Sequence, residues 1–120
     1  VRRLRPADLA RPAPEALAAL PRRPLAVIVA DVRSAHNVGA VFRTADAFRL
    51  AEVVLTGFSP DPTHAAVQKT ALGAEATVPW RRFETAVEAL DALSAEGYTA
   101  VALEQTDRSH RLDALPPLPA

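Results

Sequence analysis

The sequence predicts an α/β domain built on a parallel sheet, and three observations carry that prediction. Residues 25–30 form an unbroken apolar run closed by Asp31, the pattern of a strand covered on both faces. Val38, Val41, Phe42, Ala45 and Phe48 then recur at helical spacing and mark one apolar stripe. Residues 52–56 give a second strand, so the order is strand, helix, strand. With so short a crossover this is a parallel pair carrying its helix on one face.

Taken from the start, residues 1–24 are rich in Arg, Pro and Ala, and Pro6, Pro12, Pro14, Pro21 and Pro24 interrupt any long helix. A short helix over 15–20 is expected, with Pro14 at its first position. The segment reads as a basic arm packed on the domain or as a basic tail, which sets a boundary between residues 1–24 and a domain over 25–120. The second strand is stopped by Gly57 and by Ser59-Pro-Asp-Pro. Residues 64–72 suit a helix that ends at Gly73, with Lys69 and Thr70 in its last turns. Thr77-Val-Pro-Trp80 suits a short strand, and its proline puts it at a sheet edge. Over 84–96, Ala86, Val87, Leu90 and Leu93 predict an amphipathic helix capped at Gly97. Residues 99–103 read as a further buried strand that delivers Glu104, Gln105 and Thr106 to its carboxyl end, the edge where open parallel sheets bind ligands. Residues 115–120 look like a linker into something absent.

Composition narrows the function classes. The length suits one domain with a single core. Fourteen basic and fourteen acidic residues cancel, so overall charge does not argue for a nucleic-acid partner. The distribution says more, because thirteen of the fourteen basic residues are Arg and six of them precede the first strand, whereas residues 84–107 hold six acids and no base. Such asymmetry would orient a polyanion; Arg and Ala enrichment from a high-GC genome is the alternative. The lack of Cys excludes disulfides and thiolate chemistry. No apolar run approaches the roughly 20 residues of a membrane span, and no signal-peptide core follows the Arg-rich start, so a cytoplasmic protein is expected. Met is missing even from position 1, which fits a non-Met start or trimmed ends. His64 and His110 lack partners at metal-ligand spacing, so no metal is expected. No Gly-x-Gly-x-x-Gly or Walker-type loop follows a strand, which argues against a plain nucleotide-binding domain.

The chemistry gathers on the first crossover helix. Gly39, Arg43 and Asp46 fall opposite its apolar stripe, with Gly39 one turn before Arg43. A guanidinium above a patch with no side chain suits a phosphate approaching closely. The alternatives are an Arg43 paired with Asp46 or Glu52, and a Gly39 that serves tight helix packing. Asn37 lies at the helix start, where its amide caps the helix or binds ribose and phosphate beside free N–H groups. Arg33 and His36 stand in the preceding loop, and Lys69 touches phosphate or caps its own helix.

Asn37-Val-Gly-Ala-Val-Phe-Arg43-Thr44-Ala45, followed by Phe48, resembles the first signature of the SpoU-type (TrmH-like) RNA ribose 2′-O-methyltransferases. Asp31-Val-Arg33-Ser-Ala-His36, Lys69-Thr-Ala-Leu-Gly73-Ala74 and Leu103-Glu104-Gln105 are similar to that family as well, so the likeness runs from about Leu25 onward. It implies a Rossmann-like α/β domain of the SPOUT superfamily, normally a homodimer, that transfers a methyl group from S-adenosylmethionine to a ribose 2′-OH of tRNA or rRNA. Carried over residue by residue, it makes Arg43 and Asn37 catalytic, gives Arg33, His36, Gly39, Thr44 and Lys69 to the RNA, and sets Glu104, Gln105 and Thr106 beside the cofactor. The family's glycine-rich stretch and its knot-closing Ser-Leu-Asn-Val-Ser segment do not occur after Gln105. The RNA-facing half of an active site is therefore expected here without most of the cofactor cradle. Arg49 stands where many relatives carry Gly. Because a guanidinium stays protonated, Arg43 would pin a phosphate and stabilise a developing oxyanion rather than act as a base. A non-catalytic RNA-binding or dimerising module is the competing reading.

Overall fold

The computed structural model describes residues 1–9 and 13–117. Three strands, β1 (Arg23–Ala30), β2 (Leu50–Thr56) and β3 (Trp80–Phe83), pair in parallel in the order β1-β2-β3. A short helix α1 (Pro14–Ala18) precedes them. Helix α2 (Ala35–Ala47) links β1 to β2, and α3 (Ala65–Ala71) with a 3₁₀ turn (Ala74–Ala76) links β2 to β3. Helix α4 (Ala86–Ala95) follows β3. The α/β architecture with a parallel sheet is the one the sequence predicts.

Strand β2 is buried on both faces because each face meets a different helix layer, whereas β1, at an edge of the three-stranded sheet, is only partly covered: Val29 is buried, and Leu25 is 54% exposed. Val29, Val53 and Leu55 pack with Val38, Phe42 and Ala45 of α2 and Val67 and Ala71 of α3. The alternate residue Val54 faces Ala89 and Leu93 of α4, flanked by Ala26, Ile28, Phe83 and Tyr98. Register pairs Val27 with Val53, Ile28 with Val54 and Val29 with Leu55, so side chains of like facing stack across the strands. Across β2, β3 and α4, Arg81 binds both Glu52 (2.8 Å) and Glu96 (2.7 Å). Its guanidinium, hydrogen-bonded first to Glu96 and then to Glu52, is held more firmly charged than usual.

Several expectations are corrected. Phe48 leaves the predicted stripe and is 61% exposed, because α2 stops at Ala47 and Arg49 turns the chain through a left-handed φ of 56°. The third strand starts at Trp80 rather than at Thr77. Thr77 and Val78 still donate to the Ala74 carbonyl in the turn, and Pro79, with no N–H, offers only its carbonyl to Val53 (3.0 Å). In α4 the large residues Val87 and Leu90 lie outward and the smaller Ala89 packs inward with Leu93. The helix phase is set by Thr85, whose hydroxyl accepts from Glu88 N (3.2 Å) while the Glu88 carboxylate returns to the Thr85 N–H. Residues 99–103 form no strand, and Leu103 is 90% exposed. No strand among the described residues pairs with them, and an apolar run without a ladder partner has nothing to hold it extended and buried. No helix among the described residues is long and apolar enough to cross a membrane.

Candidate functional site

Helix α2 begins just beyond the carboxyl end of β1, and Ser34 caps it. The Ser34 hydroxyl accepts from the Asn37 backbone N–H at 3.2 Å. The cap, one of the two roles open to Asn37, thus belongs to Ser34, and the Asn37 side chain is exposed. His36 is exposed beside it, although its carbonyl accepts from Thr70 Oγ1 (2.9 Å) and so ties α2 to α3. Arg33 lies over the ring of Phe58 at 5.5 Å, joining the loops after β1 and β2. Those loops are pinned from within by buried Ser59, whose hydroxyl accepts from Val32 N (2.9 Å) and donates to Val29 O (3.0 Å).

Gly39 is buried, and the close approach it permits is made by α3. A Cβ there would stand 2.0 Å from Thr70 Oγ1 and 2.3 Å from the Val67 carbonyl oxygen. The patch expected to lie open beneath Arg43 is therefore filled by a helix of the same chain, and Gly39 is no contact for an outside ligand.

Arg43 remains exposed, with no hydrogen bond or ion pair among the described residues. The partners proposed for it are otherwise engaged: Asp46 accepts from Thr77 Oγ1 (3.1 Å) and Glu52 holds Arg81. Arg43 lines a groove of about 480 Å³ with Asp46, Thr77 and the end of α3 through Ala71, Leu72, Gly73 and Ala74. Leu72 and Gly73 both take left-handed backbone, with φ of 53° and 94°, which ends α3 and opens the groove wall. Two stretches far apart in sequence, the α2 motif and Lys69-Thr-Ala-Leu-Gly73-Ala74, thus meet on one surface. Lys69 and Thr44 are exposed but lie outside the groove lining.

The groove is not at the carboxyl rim of the sheet. Eight residues separate Ala35 from Arg43, roughly 12 Å along the helix, and the opposite wall includes Thr77, ahead of the entry to β3. Arg33, His36 and Asn37 mark the rim, and Arg43 marks a groove further down the same helix. Glu104, Gln105 and Thr106 join neither place. They form an exposed turn closed on itself: Ser109 Oγ accepts from Thr106 N (2.9 Å) and donates to Glu104 O (2.8 Å), and the Glu104 carboxylate accepts from Gln105 N (2.8 Å). His64 caps α3 through Nδ1, which accepts from Ala66 N at 3.2 Å. Among the described residues no three His, Cys, Asp or Glu are grouped to hold a metal. Thr77 is the wall residue that sequence reasoning missed, since its link to Asp46 spans 31 positions and leaves no local signal.

The profile of the SpoU rRNA Methylase family matches residues 24–117. The chain belongs to this family. Both motifs that line the Arg43 groove fall inside the matched span of SpoU sequence. Among relatives, the 23S rRNA (guanosine-2′-O-)-methyltransferase RlmB of Vibrio cholerae serotype O1 is 36% identical over 75 residues, covering 62% of this chain and 30% of that protein. RlmB of Vibrio vulnificus is 36% identical over 74 residues with the same coverage. The chain therefore spans about 30% of the length of the curated relatives it matches. A crystal structure of the SpoU methyltransferase AviRb from Streptomyces viridochromogenes, in complex with the cofactor AdoMet, superposes with a TM-score of 0.57 at 22% identity. That match covers 72% of this chain and 33% of AviRb, and it bears on the fold.

Proposed function

We propose that this SpoU domain acts on RNA as part of a ribose 2′-O-methyltransferase that uses S-adenosylmethionine, and that Arg43 is its phosphate-gripping residue. One observation carries the reading: a guanidinium with no carboxylate partner among the described residues stands in a groove lined by the two family motifs and Thr77. Family membership and the activity for which the Vibrio relatives are named support it.

In this reading Arg43 places paired N–H donors on a backbone phosphate, which fixes the adjoining ribose and favours negative charge developing on its 2′ oxygen. Asn37, with its amide not used in capping, contacts the sugar-phosphate strand from the first turn of α2. Arg33 from the loop before α2, and His36 and Thr44 from its exposed side, extend the contact, and Lys69 adds charge from α3. S-adenosylmethionine would supply the methyl group. Glu104, Gln105 and Thr106 do not fit as its holder, because their turn is open to solvent and closed on Ser109 rather than joined to either place on α2. That misfit favours a second reading, a non-catalytic RNA-binding or dimerising module. A homodimer in the cytoplasm belongs to both readings, with exposed Phe48 and Leu72 as apolar surface for a second copy to cover.

Mapping 2′-O-methyl groups in cellular RNA with and without the gene separates the two. Loss of one or more ribose methyl groups on deletion supports the enzyme. An unchanged methylation map, with RNA binding retained, supports the module.

A further inference from the structure

The loop that follows β2 presents an aromatic ring that takes no part in the Arg43 groove. Phe58 is 57% exposed, beside the carboxyl end of the sheet. Apolar side chains exposed singly are ordinary on a protein surface, and Phe58 differs in how firmly it is held there. Gly57 turns the chain through a left-handed φ of 55° and donates its N–H to the Glu84 carbonyl (3.2 Å), while the Ser59 N–H donates to the Thr56 carbonyl (3.2 Å). Arg82 donates to the carbonyls of Gly57 (2.7 Å) and Ser59. Buried Ser59 ties the same loop to the one after β1, and the Asp31 carboxylate fills the space that a Cβ on Gly57 would need. The backbone on both sides of Phe58 is therefore fixed, and the ring stands out from an anchored loop.

Its neighbour supplies the chemistry. The Arg33 guanidinium lies over the ring at 5.5 Å from the centroid, exposed and with no ion pair among the described residues. More than half of the residue still meets solvent. An open aromatic surface beside a planar cation suits a flat heterocycle whose own chain carries phosphate, with the base on the ring and the phosphate on the guanidinium. His36 and Asn37, exposed in the first turn of α2, belong to the same rim. Inside a duplex each base has both faces covered by its neighbours, so such a ring reaches a base only where the strand is unpaired.

We propose that Phe58 is a stacking platform for an unpaired base of the RNA, with Arg33 on a phosphate beside that base. The proposal deepens the RNA reading above and rests on it. It narrows the substrate to RNA that is unpaired where it crosses the rim, and it adds to the phosphate grip of Arg43 a contact that depends on the base and not on charge.

The test measures by anisotropy, across a salt series, how the unaltered chain, Phe58→Leu and Arg43→Ala bind a fluorescein-labelled oligouridylate and an abasic ribose-phosphate strand of the same length. Leucine keeps an apolar side chain and removes the flat face. Phe58→Leu should bind oligouridylate about tenfold more weakly. Its logarithmic salt slope and its affinity for the abasic strand should be unchanged, because stacking releases no counterions. Phe58→Leu that binds oligouridylate as the unaltered chain does, while Arg43→Ala weakens binding, overturns the platform and leaves the RNA reading standing. A loss shared equally by the abasic strand also overturns it, since the ring then only braces its loop. Self-association of the chain that Phe58→Leu abolishes, with RNA affinity unchanged, overturns it in favour of a second copy on the ring. No binding by the unaltered chain to either strand, or none lost in Arg43→Ala, overturns the RNA reading and the platform with it.

Discussion

Replacing Gly39 by alanine puts a methyl group where α3 already lies. The added Cβ would fall 2.3 Å from the Val67 carbonyl oxygen and 3.0 Å from Ala71 N, both backbone atoms that no rotamer change can move. Reaching ordinary contact requires α3 to retreat by about 1 Å, enough to forfeit a quarter to a half of the dispersion energy across that interface. Val38, Phe42 and Val67, each 0% exposed, stand at the junction that would open. Overpacking of this kind costs up to about 3 kcal/mol, and the better helix propensity of alanine returns about 1 kcal/mol. The net destabilisation is about 2 kcal/mol, read as a fall of roughly 1 M in the urea midpoint or roughly 5–10 °C in Tm. Adding Thr70→Ala should rescue little, because it clears the hydroxyl and leaves the Val67 carbonyl. Stability that is unchanged or raised in Gly39→Ala would refute the packing role and return Gly39 to the ligand-facing surface.

Ser59→Ala should cost about 1–3 kcal/mol in urea unfolding, since it strands the Val32 N–H and the Val29 carbonyl at a buried site. Acid sensitivity should depend on Glu96, whose carboxyl Arg81 holds below its ordinary value of 4.5. A depressed folded value means that the stabilisation is present above the unfolded value and lost as pH falls through the folded one. Glu96→Gln should therefore flatten the decline of Tm below about pH 4.5, and an unaltered profile would contradict this.

The strand order was legible because residues 25–30 and 52–56 carry apolar runs long enough for a strand, although burial on both faces holds for β2 and not for the partly covered β1. The exposed setting of Arg43 was legible from the stripe opposite it. Other features depended on partners that sequence does not name. Residues 99–103 have the composition of a buried strand, yet a strand needs a neighbour, and none among the described residues supplies it. Val87 and Leu90 outweigh Ala89 in any hydrophobic pattern, but the Thr85 cap and the space over Val54 select the smaller residue. Ser34 and Asn37 are both good caps, and only backbone geometry chose Ser34. Gly39 suited two roles until α3 was found against it. The groove itself is long-range, drawn from α2, the end of α3 and Thr77, so its α2 and α3 residues could be named from the motifs, while Thr77 and the groove's position along the helix could not.

The role given to Arg43 is tested most directly by introducing Arg43→Ala into the natural gene product and measuring ribose methylation at the sites that depend on the gene. Because Arg43 is exposed and holds no partner among the described residues, Tm should stay within about a degree of the unaltered protein, while methylation falls by roughly a hundredfold or more. Methylation at the unaltered level in a folded Arg43→Ala protein would contradict the assignment of that guanidinium to the RNA.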